Sequence, residues 1–284
     1  MNGASRAHRP GKTLTSISNH VILLLGVAFM CGPVAYAFWT TIAPGAVDAS
    51  DWRVVEATER FATVYGRLLS DQPVFVGMPT ARNMLWTSLV MGFGFAAITT
   101  ATSFFAAYAL VYFHLRFAGI ILLAIVVTLY FPVETRIMPT FLVADALGLL
   151  NTYAGLILPL TATGLATLLF TMTLRQMPDE LTEAAMLDGA GPPKFFIDVL
   201  FPIQLPTIAA IFAVLFAVGW NQYLWPMIMA TNNQGLSTVV RGIGQLGGAG
   251  PYAVALGIIA TLPPAIIGGL GLFVIKRGLV FEAR

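Results

Sequence analysis

The sequence predicts an all-α integral membrane protein with six transmembrane helices. Hydrophobic residues fill 57% of the 284 positions and charged ones only 10%, against about 25% charged in a soluble domain. Mean hydropathy is +0.82. Six stretches each supply the roughly 20 mostly apolar residues that a spanning helix needs. They are 21–42, 85–112, 117–133, 153–174, 207–230 and 252–275.

The first stretch follows Arg6, Arg9 and Lys12, and Ala35-Tyr36-Ala37 resembles a signal-peptidase site. The apolar run continues through Phe38 and Trp39 and is long enough to span, so an uncleaved helix is expected. Cleavage is the alternative; it would leave five spans and an outer N-terminus. A long outer segment, 43–84, comes next, with Asp51, Arg53, Glu56, Glu59, Arg60, Arg67 and Asp71. It reads as a solvated helix and turn packed on the outer surface, or as a docking surface for an external partner. Cys31, the single cysteine, lies in an apolar run and reads as a packed small hydrophobe.

Between spans four and five lies a loop, 175–198, on the opposite side. Its stretch 178–193 reads PDELTEAAMLDGAGPP. Asp179 suits an N-cap, and Glu180 and Glu183 favour the positive end of a helix. Leu181, Ala184, Ala185 and Asp188 share one side. Gly189 can close the helix in the left-handed region, and Pro192 and Pro193 discourage its continuation. A helix this short buries too little to stand alone, so a groove on a partner is expected. An ordinary connector helix is the alternative.

In span five, Asn221 lies fourteen residues beyond Thr207. At roughly 1.5 Å per residue that is about 21 Å along, in the outer half of the membrane. Trp220, Asn221, Gln222, Tyr223 and Trp225 bring amides and aromatics into an apolar helix, and Pro226 weakens it just beyond. Amides here should face the bundle interior, which makes the group a candidate solute pathway. An aromatic interface belt with helix–helix hydrogen bonds is the other reading.

Six spans put both termini on one side. That side carries nine cations: Arg6, Arg9, Lys12, Arg116, Arg175, Lys194, Lys276, Arg277 and Arg284. The other carries six, Arg53, Arg60, Arg67, Arg82, Arg136 and Arg241. The positive-inside rule then places both termini in the cytoplasm. The expected layout is a cytoplasmic tail at 1–19, a six-helix transmembrane domain at 20–278 and a short cytoplasmic tail at 279–284.

Several motifs fail. Gly11-Lys12-Thr13 resembles the end of a phosphate-binding loop, but Arg6 stands where that loop needs glycine. Gly242 to Gly247 fits G-x-G-x-x-G without a strand before it, and reads as a flexible turn. His8, His20 and His114 have no metal-like partners at helical spacing. The spans hold no cluster of Asp, Glu or His for a hydrolase or a proton relay. A membrane enzyme and a proton-coupled transporter both lack their chemistry here, and no catalytic residue, metal or cofactor is expected. A modest net charge of +2 without a basic stripe argues against nucleic acid.

Glu183-Ala184-Ala185, Gly189, then Val199-Leu200-Phe201-Pro202 resemble the EAA loop of ABC importer permeases: E-A-A, three residues, G, nine residues, I-x-L-P. Val199 and Phe201 depart from the pattern, but the proline stays. The stretches 131–141 (FPVETRIMPTF), 150–160 (LNTYAGLILPL), 177–196 and 219–228 (GWNQYLWPMI) extend the likeness. They resemble carbohydrate-type, maltose-permease-like subunits, and among these the smaller permeases of sn-glycerol-3-phosphate importers. The resemblance implies a type I importer (MetI-like) fold. It implies a heterodimer with a second permease, two copies of a cytoplasmic ABC ATPase and an extracytoplasmic solute-binding protein. It also implies that Glu183, Ala184, Ala185, Asp188, Gly189 and Pro202 form the coupling surface for the ATPase. Motion would reach span five through Pro202 and Pro206. Glycerol phosphate is an anion and needs donors or positive charge; Arg136 and Arg241 are the outer cations nearest the spans. Glu134, two residues from Arg136, offers it an internal partner instead. A sugar or a glycerophosphodiester is the alternative solute.

Overall fold

The computed structural model describes residues 11–44, 56–73, 77–247 and 250–282. Arg6, Arg9, Asp51, Arg53 and Arg284 lie outside them, as does part of each terminal tail expected above. Among the described residues four helices are long and apolar enough to span, and six spans result when each of two bent pairs is one span.

Helix α1 (Gly11–Ile42) carries Pro33 inside it. Within its spanning part the most apolar window buries no residue, so this helix faces lipid on most sides. Outside the membrane, α2 (Ala57–Leu69) turns Val64 and Leu68 inward. The Thr41 and Tyr65 hydroxyls meet at 3.0 Å, and Arg60 donates to the Ala43 carbonyl at 2.6 Å. The helix within 43–84 is thus packed against the end of α1.

Helix α3 (Ala81–Tyr112) starts at Thr80, whose side chain accepts from the Asn83 N–H. It is the central post, flanked by α7 (Gly164–Leu174) and by α10 (Phe201–Trp220), which in turn packs on α13 (Pro251–Glu282). Apolar burial does not drive helices together in lipid; close packing does. Here it takes a reciprocal form. A Cβ on Gly92 would stand 2.9 Å from the Phe216 ring, and one on Gly219 would stand 2.7 Å from Phe95. Each helix offers a glycine notch to the other's phenylalanine.

The third span differs from the expected single run at 117–133. It is two helices, α4 (Ala118–Leu129) and α5 (Val133–Ala146), bent by 103°. Pro132 has no N–H to give and pushes Phe131 away from helical angles. The fourth span keeps its expected limits but bends by 48° between α6 (Tyr153–Ile157) and α7. A 3-10 turn, Leu158–Thr161, sits at the bend with Pro159 in it.

The fifth span moves most. It begins at Pro192 rather than 207 and ends at Trp220 rather than 230. Pro192 and Pro193 do not continue the helix before them, which ends at Leu187; they open α9 (Pro192–Lys194), because a first turn needs no N–H from them. Six π-helical residues, Phe195–Leu200, then lead into α10. They lie just before Pro202, which has no N–H to give to the helix ladder. Past Trp220 the chain breaks and resumes as α11 (Leu224–Met229). The segment 242–247 is likewise not a simple turn. Thr238 caps α12 (Val239–Gln245), and only Gly247, at φ +65°, turns the chain out.

Candidate solute pathway and coupling surface

Broken backbone at membrane depth is tolerated where it is buried in protein or lines a wet cavity. Three breaks occur toward the end of the bundle away from residues 175–198: before α5, at Leu158–Thr163, and at Asn221–Tyr223. They converge. One cavity of about 120 Å³ is lined by Arg136, Ile137 and Thr140 of α5, by Pro159 and Leu160 of the fourth-span bend, and by Trp225 of α11. Three of the four stretches that carried the resemblance therefore meet at one place.

Hydrogen bonds hold that place together. The Trp225 indole donates to the Gly155 carbonyl at 3.1 Å and is buried. The Asn151 N–H donates to the Met229 carbonyl at 2.8 Å, and its side-chain oxygen accepts from Asn232 at 3.0 Å. Asn151 itself sits at φ +57°, a region asparagine enters more readily than most residues.

Within this frame the predicted residues divide. The Arg136 side chain is exposed, and no hydrogen bond or ion pair to it occurs among the described residues. Glu134 does not pair with it; neighbours two apart on a helix point to different sides. Arg241 is committed in part, donating to the Ala230 carbonyl at 2.8 Å. Asn221 and Gln222 are helix-end groups. Their amides donate to the Ala217 and Val218 carbonyls at 2.8 and 3.2 Å, closing α10 while Asn221 stays exposed. Tyr223 is half-exposed and presses on α12, where a Cβ on Gly244 would fall 2.5 Å from its ring. Trp220 is interior: it is 2% exposed and lies 5.7 Å from the Phe216 ring. The structure makes Trp220 and Trp225 packing and anchoring groups, and leaves Arg136, Asn221 and Tyr223 facing out of the core. Sequence reasoning missed Asn151 and Thr140. The Asn-Thr pair before an apolar run was a readable signal for the first; nothing marked the second.

The fourth stretch lies at the other end of span four. Helix α8 (Asp179–Leu187) is shorter than the expected three turns, and Pro178, not Asp179, is its N-cap. Pro178 holds the extended angles a cap needs, and Asp179 and Glu180 occupy the first turn, where their charge suits the helix dipole. Gly189 does close the helix, at φ +72°, with its N–H donating to the Met186 carbonyl and that of Ala190 to Ala185. Ala185 is buried, while Glu183, Ala184 and Asp188 are exposed and so is Pro202. Two apolar neighbours, Met186 and Leu187, stand out at 68% and 88% exposure. Beneath α8 an aromatic cluster ties the start of span five to α3. Phe196 stacks on Phe105 and Phe195 meets Tyr112 edge-on. The Tyr108 hydroxyl donates to the Pro192 carbonyl at 3.2 Å.

A lipid-embedded bundle with broken spans around a cavity and an exposed helix on one face is the architecture of a transport permease. The family described as binding-protein-dependent transport system inner membrane component matches residues 73–279, and the chain belongs to it. It is 36% identical over 282 residues to the sn-glycerol-3-phosphate transport system permease protein UgpE of Escherichia coli (strain K12). That alignment covers 96% of this chain and 98% of the relative. The protein of the same description from Rhizobium meliloti (strain 1021) is 33% identical, over 90% of this chain and 93% of its own. Among solved structures, a bacterial ABC transporter involved in the import of the acidic polysaccharide alginate matches with a TM-score of 0.67. The match has 21% identity and covers 95% of this chain and 98% of that one. The chain therefore has the importer-permease fold and is an inner-membrane component of a binding-protein-dependent transport system.

Proposed function

We propose that this chain is the permease subunit of an ABC importer that moves sn-glycerol-3-phosphate across the cytoplasmic membrane by alternating access. It has no catalytic role of its own. It works with a second permease, two copies of an ATPase on the α8 side and a solute-binding protein on the outer side. Both termini and α8 lie in the cytoplasm. The strongest support is the Arg136 guanidinium, unpaired among the described residues, at the cavity where three broken spans meet. An exposed charge without a partner at such a cavity suits an anionic solute, and a guanidinium fits a phosphate with two parallel hydrogen bonds. Asn221 and Tyr223 add polar groups on the same side. The names of the relatives point to the same solute.

On the other face, Glu183, Ala184, Asp188 and Gly189, with Met186 and Leu187, form the surface that seats in the ATPase. Ala185 packs inward against the bundle. Movement of α8 passes through Phe195 and Phe196 to α3, and through the π-helical turns and Pro202 to α10.

The deciding experiment is uptake into vesicles containing the full importer, with binding protein outside and ATP inside. Labelled sn-glycerol-3-phosphate should enter, and excess maltose should not suppress it. Uptake of a sugar alone would keep the importer and overturn the solute. Absence of ATP-dependent uptake of either would overturn both.

A further inference from the structure

The cavity at the three breaks measures about 120 Å³, well below the roughly 300–1,000 Å³ of a whole small-molecule site. It therefore holds one end of a solute. Its walls are mostly apolar: Ile137, Pro159, Leu160 and Ala162 bring no side-chain donor. The Trp225 indole N–H is already given to the Gly155 carbonyl. Among the described lining residues two side-chain donors remain, Arg136 and Thr140. They stand four residues apart on α5, and that spacing puts side chains on one face of a helix with Cβ atoms about 5–6 Å apart.

Thr140 differs from the threonines around it. A threonine in or beside a helix commonly turns its hydroxyl back to a carbonyl three or four residues earlier. Thr128, Thr135 and Thr161 do so, donating to the Ile125, Pro132 and Leu158 carbonyls at 2.6, 2.8 and 2.7 Å. Thr140 makes no hydrogen bond among the described residues. It is half-buried, yet its hydroxyl is not one of those sealed from solvent without a partner, as the hydroxyls of Thr99, Thr100 and Ser237 are. The Thr140 oxygen is thus open at the wall of the cavity.

We infer that Thr140 is a second solute-binding residue of this cavity: its hydroxyl donates to a phosphate oxygen of the solute while the Arg136 guanidinium holds the same phosphate. The inference rests on the transport reading above and names the group that works beside Arg136 in that site. A phosphate set against apolar walls needs every donor within reach. The cavity is too small for a whole solute, and the Arg136 charge fixes which end enters. The glycerol end, with its hydroxyls, extends out of the cavity. A threonine hydroxyl alone could serve either end, since it both gives and accepts. Its place one turn from Arg136, in the same small cavity, assigns it to the phosphate.

The test uses the assembled importer in vesicles, both resting and with nucleotide trapped on the ATPase. Cys31 is the chain's single cysteine; it is changed to serine, and Ala162→Cys, at the cavity wall, becomes the reporter. Maleimide labelling from the side of the solute-binding protein is timed with sn-glycerol-3-phosphate, inorganic phosphate or glycerol. Uptake of sn-glycerol-3-phosphate and of maltose is measured in the same vesicles. The two phosphate-bearing compounds should slow labelling in at least one form, and glycerol should not. Thr140→Val removes the donor and should raise the half-protecting concentration of both about tenfold or more, the usual worth of a hydrogen bond to a charged group. Thr140→Ser, which keeps the hydroxyl, should restore protection. Thr140→Ala repeats the loss and covers the case in which Thr140→Val fails to assemble. Normal sn-glycerol-3-phosphate uptake without protection in either form, or with a reporter that maleimide never reaches, would overturn the assignment and leave the transport reading standing. So would equal protection by glycerol, or protection indifferent to Thr140→Val and Thr140→Ala. Uptake of maltose alone, without protection by either phosphate compound, would overturn the assignment and the solute together.

Discussion

Arg136 and Gly219 show how differently single residues act in this bundle. Arg136 has no structural partner among the described residues, so Arg136→Gln should leave folding intact. Loss of a charge-assisted contact to an anion is worth about 1.5–3 kcal/mol, so uptake should fall roughly 10- to 100-fold. ATPase stimulation by the binding protein should persist, and the two assays together check the prediction. Gly219 carries no chemistry, yet a side chain there meets Phe95. Gly219→Val should destabilise the protein by about 1–3 kcal/mol, seen as a lower melting midpoint in detergent. Phe95→Ala added to it should recover part of the loss. Trp225→Phe keeps an aromatic ring but leaves the Gly155 carbonyl unpaired, and should destabilise the protein by about 1 kcal/mol, read as a lower midpoint in the same assay. Trp220, chosen from sequence beside Asn221, is a core residue because it lies one turn after Phe216 on the same buried face of α10; nothing in a list of aromatics distinguishes the two roles.

Among the elements, α8 was the most legible. Its cap glycine, its acidic first turn and the small Ala184 and Ala185 are local signals, and local signals survive folding. Gly189→Ala should strain the closing turn by about 1–2 kcal/mol. Gly189→Trp or Glu183→Arg should leave the permease inserted and reduce ATPase coupling or release the ATPase, read by co-purification and by ATP-driven uptake. The bent spans were the least legible. Hydropathy reports whether residues suit lipid, not whether their helix is straight. Pro132 and Pro159 break their spans, while Pro202 and Pro206 sit in a helix that continues, because the π-helical turns at Phe195–Leu200 and the packing of α3 and α13 hold it together. A proline in a sequence is therefore a question, answered only by what surrounds it.

For the whole molecule, the proposed layout counts each bent pair as one span, and six spans would bring both ends to one side. Reporters fused at residue 1 and after residue 284 should both be active only on the cytoplasmic side. A reporter after residue 72, in the long outer segment, should be active only on the other. Opposite sides for the two ends would overturn the layout. The helices α1, α4 and α5 expose long apolar faces, some of which a second permease covers in the proposed heterodimer. Co-expression with that permease should raise the yield of folded chain in detergent.

Composition and hydropathy determined by themselves that this chain lives in a membrane, and the acidic first turn, the small alanines and the glycine at 189 determined where the exposed helix α8 lies. Both are read along the chain, from properties that residues keep wherever they sit. Only the tertiary structure decided that residues 131–141, 150–160 and 219–228 form one cavity, that Arg136 is unpaired there, and that Thr140 lines it with an open hydroxyl. Those facts depend on helices far apart in sequence meeting at set angles, and the angles come from glycine notches, proline breaks and packing that no single stretch contains.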